Sequence, residues 1–248
     1  MKNILIVGAT SAIAEACARQ WLKEYPNSNF VLTGRSEKKL IAVKSDLEVR
    51  GAGKCRHLLL DLNEVDAFDK LLPDTLETLN QLDIALVAPG TLPDHEKCMT
   101  DKSYAQDVFQ INATSTMLLL EILAAQLESQ RVGQLVVISS VAGDRGRMSN
   151  YYYGAAKAAV TAFCSGLMMR LQKSNVSVSI VKPGFVRTPM TADLDLPEKL
   201  VATPEAVAKH IVSNVKKQRS VIYAPSIWRF IMTIIRLIPT SIFRRLSL

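Results

Sequence analysis

The stretch ILIVGATSAIA, residues 4–14, decides the fold, because an apolar run passes through a glycine turn into a helix-like segment. A continuous run of Ile, Leu and Val is typical of a strand that is covered on both faces. The turn brings free backbone N–H groups and the positive end of a helix dipole to one point, which suits a pyrophosphate. A glycine followed by small residues also often merely ends a strand, so this motif alone leaves both interpretations open.

Apolar runs and helix-like segments alternate along the whole chain. Such alternation predicts a parallel sheet with right-handed crossovers. We therefore predict an α/β fold of the single-domain Rossmann type over residues 1–224, a doubly wound parallel sheet of about seven strands with helices on both faces, followed by a C-terminal segment, residues 225–248. The predicted strands are residues 4–7, 30–33, 56–60, 84–87, 134–139, 176–181 and 221–223, and the clearest predicted helices are residues 11–25, 37–50 and 63–79.

Composition limits the classes of protein that this chain can represent. Its 248 residues, 48% of them hydrophobic, support one large core. The chain opens directly on a strand pattern, so we expect no signal peptide and a cytoplasmic location. The four cysteines and three histidines are dispersed, which favours buried thiols in a reducing compartment over disulfides or zinc, and we expect no metal. No basic patch interleaved with aromatic residues occurs in the body of the chain, so we expect no nucleic-acid partner.

The residues of the first turn predict the contacts to a bound phosphate. Gly8 makes the tight turn, and the small side chain of Ala12 lets a ligand approach the helix. Thr10, Ser11 and Ile13 offer hydroxyl or backbone N–H donors at the same place.

The second predicted strand ends in TGRS, residues 33–36, where dinucleotide folds often carry an acidic residue for the ribose 2′-OH. Arg35 stands there instead, with two lysines close behind, and a guanidinium suits a 2′-phosphate. NADP(H) is therefore favoured as the cofactor and NAD(H) is the alternative, unless Arg35 is simply a solvated residue at a helix start. After the third strand, Asp61 and Leu62 lie where an adenine would bind, although Asp61 is equally suited to capping the next helix.

The segment SNYYYGAAKAAV, residues 149–160, offers an acid–base group. Tyr153 and Lys157 are four residues apart and share one face of a helix, whereas Tyr151 and Tyr152 have alanine at that spacing. A free phenol has a pKa near 10, and a neighbouring ammonium group lowers it, which would make Tyr153 usable for proton transfer. The alternative is an aromatic patch at the start of an ordinary helix.

Two further polar residues strengthen the first interpretation. The fifth predicted strand ends in a pair of serines, and Ser140 lies thirteen residues before Tyr153 at the sheet edge where open α/β sheets bind ligands. Asn112 lies within a long helical stretch, where its side-chain amide would hold a water molecule for a proton relay.

Together these motifs resemble those of the short-chain dehydrogenases/reductases, and the resemblance covers roughly residues 1–224. It implies that Ser140 polarises a carbonyl, Tyr153 is the general acid, Lys157 binds the nicotinamide ribose and Asn112 anchors the relay water. It also implies a homodimer or homotetramer. The segment VKPGFVRTP, residues 181–189, is similar to the family's segment after the sixth strand, which implies a turn at Pro183 and Gly184 and nicotinamide contacts from Val186 and Thr188.

The sequence departs from the family's pattern at two places. The glycine motif G-x-x-x-G-x-G continues from Gly8 with Ala12 and Ala14, which adds methyl groups where the backbone approaches the phosphate. The motif N-N-A-G after the fourth strand is replaced by VAPG, residues 87–90, so Ala88 and Gly90 are the positions that remain for close approach to the cofactor.

Two loops suggest a substrate class. VAGDRGRMSN, residues 141–150, and APGTLPD, residues 88–94, resemble loops of the reductases that act after an oxidase on decaprenylphosphoryl pentose and reduce its 2-keto intermediate. Arg145 and Arg147 would then meet the phosphodiester, unless they are solvated loop charges. The rival substrates are other apolar ketones, such as 3-ketoacyl, retinoid or steroid-like compounds, and the rival from another class is a dinucleotide sensor or membrane scaffold without turnover.

The excess charge of the protein lies after Glu205, and four of the basic residues there belong to the C-terminal segment. The net charge is +7, and the eight basic residues after Glu205 meet no acidic one, whereas subtracting them from the 30 leaves 22 basic residues against 23 acidic ones. The segment is rich in large apolar residues, yet no apolar run approaches the roughly 20 residues needed to cross a bilayer. It suits a peripheral position in the headgroup region on the inner face of the cytoplasmic membrane. The alternative is a helix that packs on the domain or forms a dimer contact.

Overall fold

The computed structural model describes residues 1–192 and 194–246, so Ser247 and Leu248 of the predicted C-terminal segment lie outside the described residues. Within those residues, each strand begins and ends within two residues of its predicted bounds. The strands are β1 (Asn3–Val7), β2 (Asn29–Gly34), β3 (Cys55–Leu59), β4 (Ile84–Val87), β5 (Gly133–Ile138), β6 (Val176–Pro183) and β7 (Val221–Ala224). The helices are α1 (Ala12–Glu24), α2 (Glu37–Val49), α3 (Phe68–Leu79), α4 (His95–Thr100), α5 (Lys102–Phe109), α6 (Ser115–Gln130), α7 (Tyr151–Leu171), α8 (Pro204–Lys216), α9 (Ile227–Leu237) and α10 (Thr240–Phe243).

The strands form one parallel sheet in the order β3-β2-β1-β4-β5-β6-β7. Ile4 of β1 is aligned with Phe30 of β2 on one side and with Ile84 of β4 on the other. The chain therefore builds outward through β2 and β3 and then returns to the other side of β1. Such a reversal point opens a crevice at the carboxyl ends of the strands, where open α/β sheets bind ligands. The predicted fold class is confirmed.

Alternate residues of each strand face opposite sides of the sheet, and each side has its own core. Ile4 and Ile6 of β1 pack in the cluster formed with α1, α2 and α8, whereas Leu5 and Val7 pack in the cluster formed with α3, α6 and α7. All four side chains are buried. Helices therefore cover both faces, as continuous apolar strands require.

One predicted helix begins later than the sequence pattern indicated. The prediction began at residue 63, but α3 begins at Phe68 after a 3-10 turn at Val65–Ala67. The backbone N–H of Asn63 donates to Oδ1 of Asp61 at 3.0 Å. This contact forms an Asx turn before the helix starts.

Helices α5 and α6 join through a π-helical turn at Gln110–Thr114. Such single turns inside α-helices frequently lie at functional sites. Among the described residues, Lys102–Gln130 is long and apolar enough to cross a membrane by length and composition, but half of its most apolar window is buried inside the protein. Leu119 and Leu123 of α6 belong to the core on one face of the sheet, which explains why this stretch is so apolar.

The C-terminal segment folds as α9 and α10, with the break at Pro239. Proline has no backbone N–H and fits poorly inside a helix, which explains the break. One face of α9 buries Trp228 and Met232 against the domain. The opposite face leaves Phe230 65% exposed and Leu237 76% exposed. The segment is thus packed on one side and apolar toward solvent on the other.

Candidate active site

A cavity of about 420 Å³ lies at the carboxyl edge of the sheet, where β1, β4, β5 and β6 end. The positions that the sequence assigned to the cofactor all line it. The structure thus brings together Gly8, Thr10, Ser11, Ala12, Ile13, Arg35, Asp61, Leu62, Ala88, Gly90, Tyr153, Lys157, Pro183, Gly184, Val186 and Thr188.

The turn between β1 and α1 leaves polar groups available to a phosphate. Gly8 has a φ of +77°, and a Cβ there would lie 3.0 Å from the carbonyl carbon and oxygen of Ala88, so the turn requires glycine. Ser11 occupies the N-cap position of α1, yet its side chain makes no capping hydrogen bond. Within the described part of the chain, its hydroxyl and the amides of the first helical turn have no partner, at the helix end where the dipole favours an anion. This donor set fits the pyrophosphate of a dinucleotide.

Positive charge dominates the cavity at the end of β2. Arg35 and Lys39 line it there, and Asp61 is the one carboxylate among its described lining residues. Since Oδ1 of Asp61 accepts the backbone N–H of Asn63, this carboxylate also closes the turn after β3. The residues present fit a cofactor that carries a phosphate on its adenosine ribose.

Ser140, Tyr153 and Lys157 line the same part of the cavity. Ser140 follows β5 directly, and its Oγ accepts the backbone N–H of Ala142 at 3.1 Å, which starts a 3-10 turn. Tyr153 and Lys157 lie one turn apart at the start of α7, with Nζ of Lys157 5.7 Å from the centroid of the tyrosine ring. A hydrogen bond also joins the side chains of Ser140 and Tyr153. The predicted shared face of Tyr153 and Lys157 is confirmed.

Burial shifts the pKa of both groups toward their neutral forms. It raises the pKa of Tyr153 to about 12, against the smaller lowering effect of the hydrogen bond with Ser140. It lowers the pKa of Lys157 to about 8. Burial therefore outweighs the effects that lower the pKa of Tyr153, and the expectation of a lowered phenol pKa is wrong for this structure. The ammonium group is instead directed to the backbone carbonyls of Pro89 and Ile138, each 3.4 Å from Nζ.

Asn112 supports the cavity from behind. It is fully buried in the π-helical turn and is not among the described lining residues. Its Oδ1 accepts the backbone N–H of Thr91 at 3.0 Å, and its Nδ2 donates to the carbonyl of Val108 at 3.0 Å. Both ends of the amide thus have protein partners, and its role in holding a relay water stays a prediction. The amide ties the helix to the loop that follows Gly90.

The two loop arginines lie in different surroundings. Arg147 lines the cavity, and its Nε and Nη2 atoms are buried without a hydrogen-bond partner among the described residues. Burial lowers the pKa of its guanidinium. Nη1 of Arg145 donates to the carbonyls of Ile235 at 2.5 Å and Ile238 at 2.6 Å, and its guanidinium lies 3.7 Å from the ring centroid of Phe243. The prediction that Arg145 contacts the substrate is therefore wrong, because it caps the carboxyl end of α9.

A buried polar cluster supports the turn that follows Ser140, and the sequence analysis missed it. Asp144, 3% exposed at its side chain, forms an ion pair with Lys182 of β6, which is 8% exposed. Its Oδ2 also accepts the Tyr223 hydroxyl of β7 at 2.7 Å. Burial, together with this hydrogen bond, raises the pKa of Tyr223 to about 12. The three residues are far apart in the chain, so no local pattern in the sequence indicates the cluster.

Cysteine and histidine side chains form no joint site within residues 1–192 and 194–246. No group of three His, Cys, Asp or Glu side chains there is placed to hold a metal ion. The four cysteines are free thiols, and burial raises the pKa of Cys164 to about 12, which keeps that thiol protonated.

Comparison with known proteins identifies the family of this chain. The family profile described as short chain dehydrogenase matches residues 2–199. An uncharacterized oxidoreductase of Mycobacterium tuberculosis is 31% identical over 243 residues, 98% of this chain and 96% of that protein. The 3-oxoacyl-[acyl-carrier-protein] reductase of Aquifex aeolicus is 28% identical over 193 residues, 78% of this chain and 77% of that protein.

Solved structures show the same architecture. A variant of the actinorhodin polyketide ketoreductase with NADPH gives a TM-score of 0.78 at 20% identity, covering 90% of this chain and 95% of that chain. The 3-oxoacyl-[acyl-carrier protein] reductase from Brucella melitensis gives 0.74 at 22% identity, covering 90% and 89%. At these identities the structural likeness establishes the fold, and the family is established by the sequence match over most of the chain. The chain belongs to the short-chain dehydrogenase family and is an NAD(P)-dependent dehydrogenase or reductase.

Proposed function

We propose that the protein reduces a ketone to a secondary alcohol, with Tyr153 as the general acid. The observation that carries this proposal is the meeting of Ser140, Tyr153 and Lys157 on one wall of a cavity whose other end fits a dinucleotide. The family membership supports oxidoreductase chemistry, and a relative named as a 3-oxoacyl reductase supports a ketone as the reacting group.

The side chains divide the work as follows. When bound, NAD(P)H supplies the hydride that reduces the carbonyl carbon. The hydroxyls of Ser140 and Tyr153, joined by a hydrogen bond, bind and polarise the carbonyl oxygen. As negative charge builds on that oxygen, Tyr153 donates its proton to it and the alcohol forms. Because its pKa is about 12, the phenol is protonated at neutral pH, as a general acid must be, and the charge that Lys157 carries below its pKa of about 8 stabilises the phenolate left behind.

NADP(H) is the cofactor that the site favours, with NAD(H) as the alternative. The support is the pair Arg35 and Lys39 beside the ribose end and the lack of a described carboxylate at the end of β2. A guanidinium pairs with a phosphate in a bidentate manner, whereas a ribose 2′-OH would call for a carboxylate.

The substrate of this proposal is an anionic ketone on an apolar carrier, specifically the 2-keto group of a polyprenyl-phosphate-linked pentose. Arg147 supplies the support for the anion, because its Nε and Nη2 atoms are buried without a hydrogen-bond partner among the described residues, and unsatisfied buried donors are costly. Met190 and Leu194 supply the support for an apolar carrier, because both line the cavity and are nearly half exposed.

Replacing Arg147 with alanine tests this substrate class. We expect kcat/KM to fall about tenfold or more for a phosphodiester-bearing 2-keto pentose and to change less than about twofold for a neutral ketone of similar size. Lysine at this position should restore part of the loss. Arg219→Ala is the matched control, since Arg219 is an exposed arginine outside the cavity lining. Steady-state NADPH oxidation measures all four proteins.

The same assay decides between the rival functions. If Arg147→Ala lowers kcat/KM equally for both ketones, or for neither, the substrate is a neutral apolar ketone such as a 3-ketoacyl thioester. That is the substrate class in the name of the Aquifex relative. Cofactor binding without turnover of any ketone would favour a dinucleotide sensor. The homodimer or homotetramer implied by the resemblance stays a prediction, which light scattering in solution would test.

The C-terminal segment supports a location on an anionic membrane surface, on the inner face of the cytoplasmic membrane. Exposed apolar residues recur at helical spacing along the outer face of α9, and the segment is basic without any acidic residue. This combination suits the headgroup region of anionic lipids. The exposed apolar residues, called the outer stripe below, are Ile227, Phe230, Ile234 and Leu237.

Vesicle binding tests this location. We expect the protein to sediment with phosphatidylcholine vesicles that contain phosphatidylglycerol and to be released by about 1 M salt, where charges are screened within about 3 Å. Phe230→Ser combined with Leu237→Ser should abolish sedimentation, and Met169→Ser, an exposed apolar residue of α7, should not. Sedimentation that ignores lipid charge, or none with the native protein, would contradict the membrane proposal and favour a contact with a second copy.

A further inference from the structure

The cavity wall that follows β6 is held from behind by the C-terminal helix. Gly184 and Phe185 line the cavity. The backbone N–H of Gly184 donates to the carbonyl of Ala224 at the end of β7, 3.0 Å away. The indole ring of Trp228 packs against the same two residues.

The contact between Trp228 and Gly184 is as close as a glycine allows. A Cβ on Gly184 would lie 1.9 Å from Nε1 of Trp228 and 2.0 Å from its Cε2. The ring also meets Phe185 edge to face, with centroids 4.9 Å apart. The side chain is 3% exposed, and its indole N–H has no hydrogen-bond partner among the described residues. Trp228 therefore acts here through the packing of its ring and not through a hydrogen bond.

Helix α9 is itself fixed to the turn that carries the catalytic serine. Trp228 and Met232 pack with Val141, the residue directly after Ser140. Arg145 of the same turn caps the carboxyl end of α9 through the carbonyls described above. The helix thus contacts both the serine turn and the wall after β6.

We propose that Trp228 is a positioning residue for the cofactor site, holding Gly184 and Phe185 in the conformation that binds the nicotinamide end of NADPH. The indole ring occupies the space where a side chain of Gly184 would lie. It therefore blocks movement of the Gly184 backbone toward α9. Removing the ring would leave a cavity behind the wall and free the wall to move. A site that is mobile when empty binds its ligand more weakly, because ordering it on binding costs free energy. The C-terminal segment is then a part of the catalytic unit, in addition to any role at a membrane.

Trp228→Ala and Trp228→Phe, measured against NADPH by titration calorimetry, test this proposal. We expect the alanine variant to raise the Kd for NADPH about tenfold, and the phenylalanine variant to stay within about twofold because it keeps the ring contact and loses no hydrogen bond. Thr233→Ala is the control, an exposed residue of the same helix. A Trp228→Ala protein with a lowered Tm and an unchanged Kd for NADPH would overturn the proposal, because Trp228 would then only stabilise the fold.

A double-mutant cycle with Gly184→Ala gives a second readout. The added methyl group collides with Trp228, so Gly184→Ala should raise the Kd for NADPH more than Trp228→Ala does. The double variant should bind NADPH more tightly than Gly184→Ala alone, because the methyl then occupies the space the indole leaves. Additive effects would overturn the proposed coupling. If Trp228→Ala does not fold, Trp228→Leu takes its place in the same cycle.

Discussion

Replacing Arg35 with alanine is expected to weaken NADPH binding about 30-fold and to change NADH binding less than about twofold. The two cofactors differ by the phosphate on the adenosine ribose, and Arg35 lies at the end of β2 where the cavity carries positive charge. A charge-assisted hydrogen bond to phosphate is among the stronger polar contacts in water, and only NADPH can make it. Titration calorimetry with each cofactor at one fixed ionic strength measures both constants.

Two variants separate a specific contact from general electrostatics. Arg35→Lys should recover part of the affinity, because it keeps the charge and loses the bidentate geometry. Lys38→Ala removes one neighbouring charge that is exposed and outside the cavity lining, so it should have a small effect. Equal losses for NADPH and NADH on Arg35→Ala would show that Arg35 does not read the 2′-phosphate.

The fold was predictable because its signals are local and repeated. Apolar strands alternating with helical segments leave few alternatives to a doubly wound parallel sheet, and the structure has that sheet. The one helix start that was wrong, at α3, failed because a side chain closed the turn first. Asp61 accepts the backbone N–H of Asn63, and periodicity alone does not report such a contact.

The position of site residues was more predictable than their individual roles. A motif fixes where a residue stands along a strand or helix, so Gly8, Ser140 and Tyr153 all reach the cavity. It does not fix which way a long side chain turns. Arg145 and Arg147 are two residues apart, yet one caps a helix and the other enters the cavity.

The contribution of the C-terminal segment was not predictable, because it depends on contacts between distant parts of the chain. Its apolar residues were explained equally well by a membrane or by packing. The structure shows that Trp228 faces the domain and Phe230 faces solvent. The two faces of one short helix thus have different surroundings, which its sequence alone does not distinguish.

Replacing Tyr153 with phenylalanine is expected to lower kcat/KM for ketone reduction by about a thousandfold, the scale of a lost general acid. The phenol is buried beside Ser140 and Lys157, and no other hydroxyl of the tyrosine triplet lines the cavity in the described structure. Phenylalanine keeps the ring and its packing, so the Kd for NADPH should remain within about twofold. The loss then lies in the chemical step.

Tyr152→Phe is the matched control for this substitution. Tyr152 is adjacent in sequence and stacks on Tyr151 with ring centroids 5.1 Å apart, outside the cavity lining. Removing its hydroxyl should leave turnover within about twofold of the native rate. A large loss in this variant would indicate general damage to the start of α7.

The most direct measurement compares NADPH oxidation in a single turnover with NADPH binding, for the native protein and Tyr153→Phe under identical conditions. The account predicts that the native protein oxidises NADPH in the presence of a ketone, and that the variant binds NADPH normally and oxidises almost none. Unchanged oxidation by the variant would contradict it, as would tight NADPH binding by the native protein with no oxidation in the presence of either the phosphodiester-bearing 2-keto pentose or the neutral ketone.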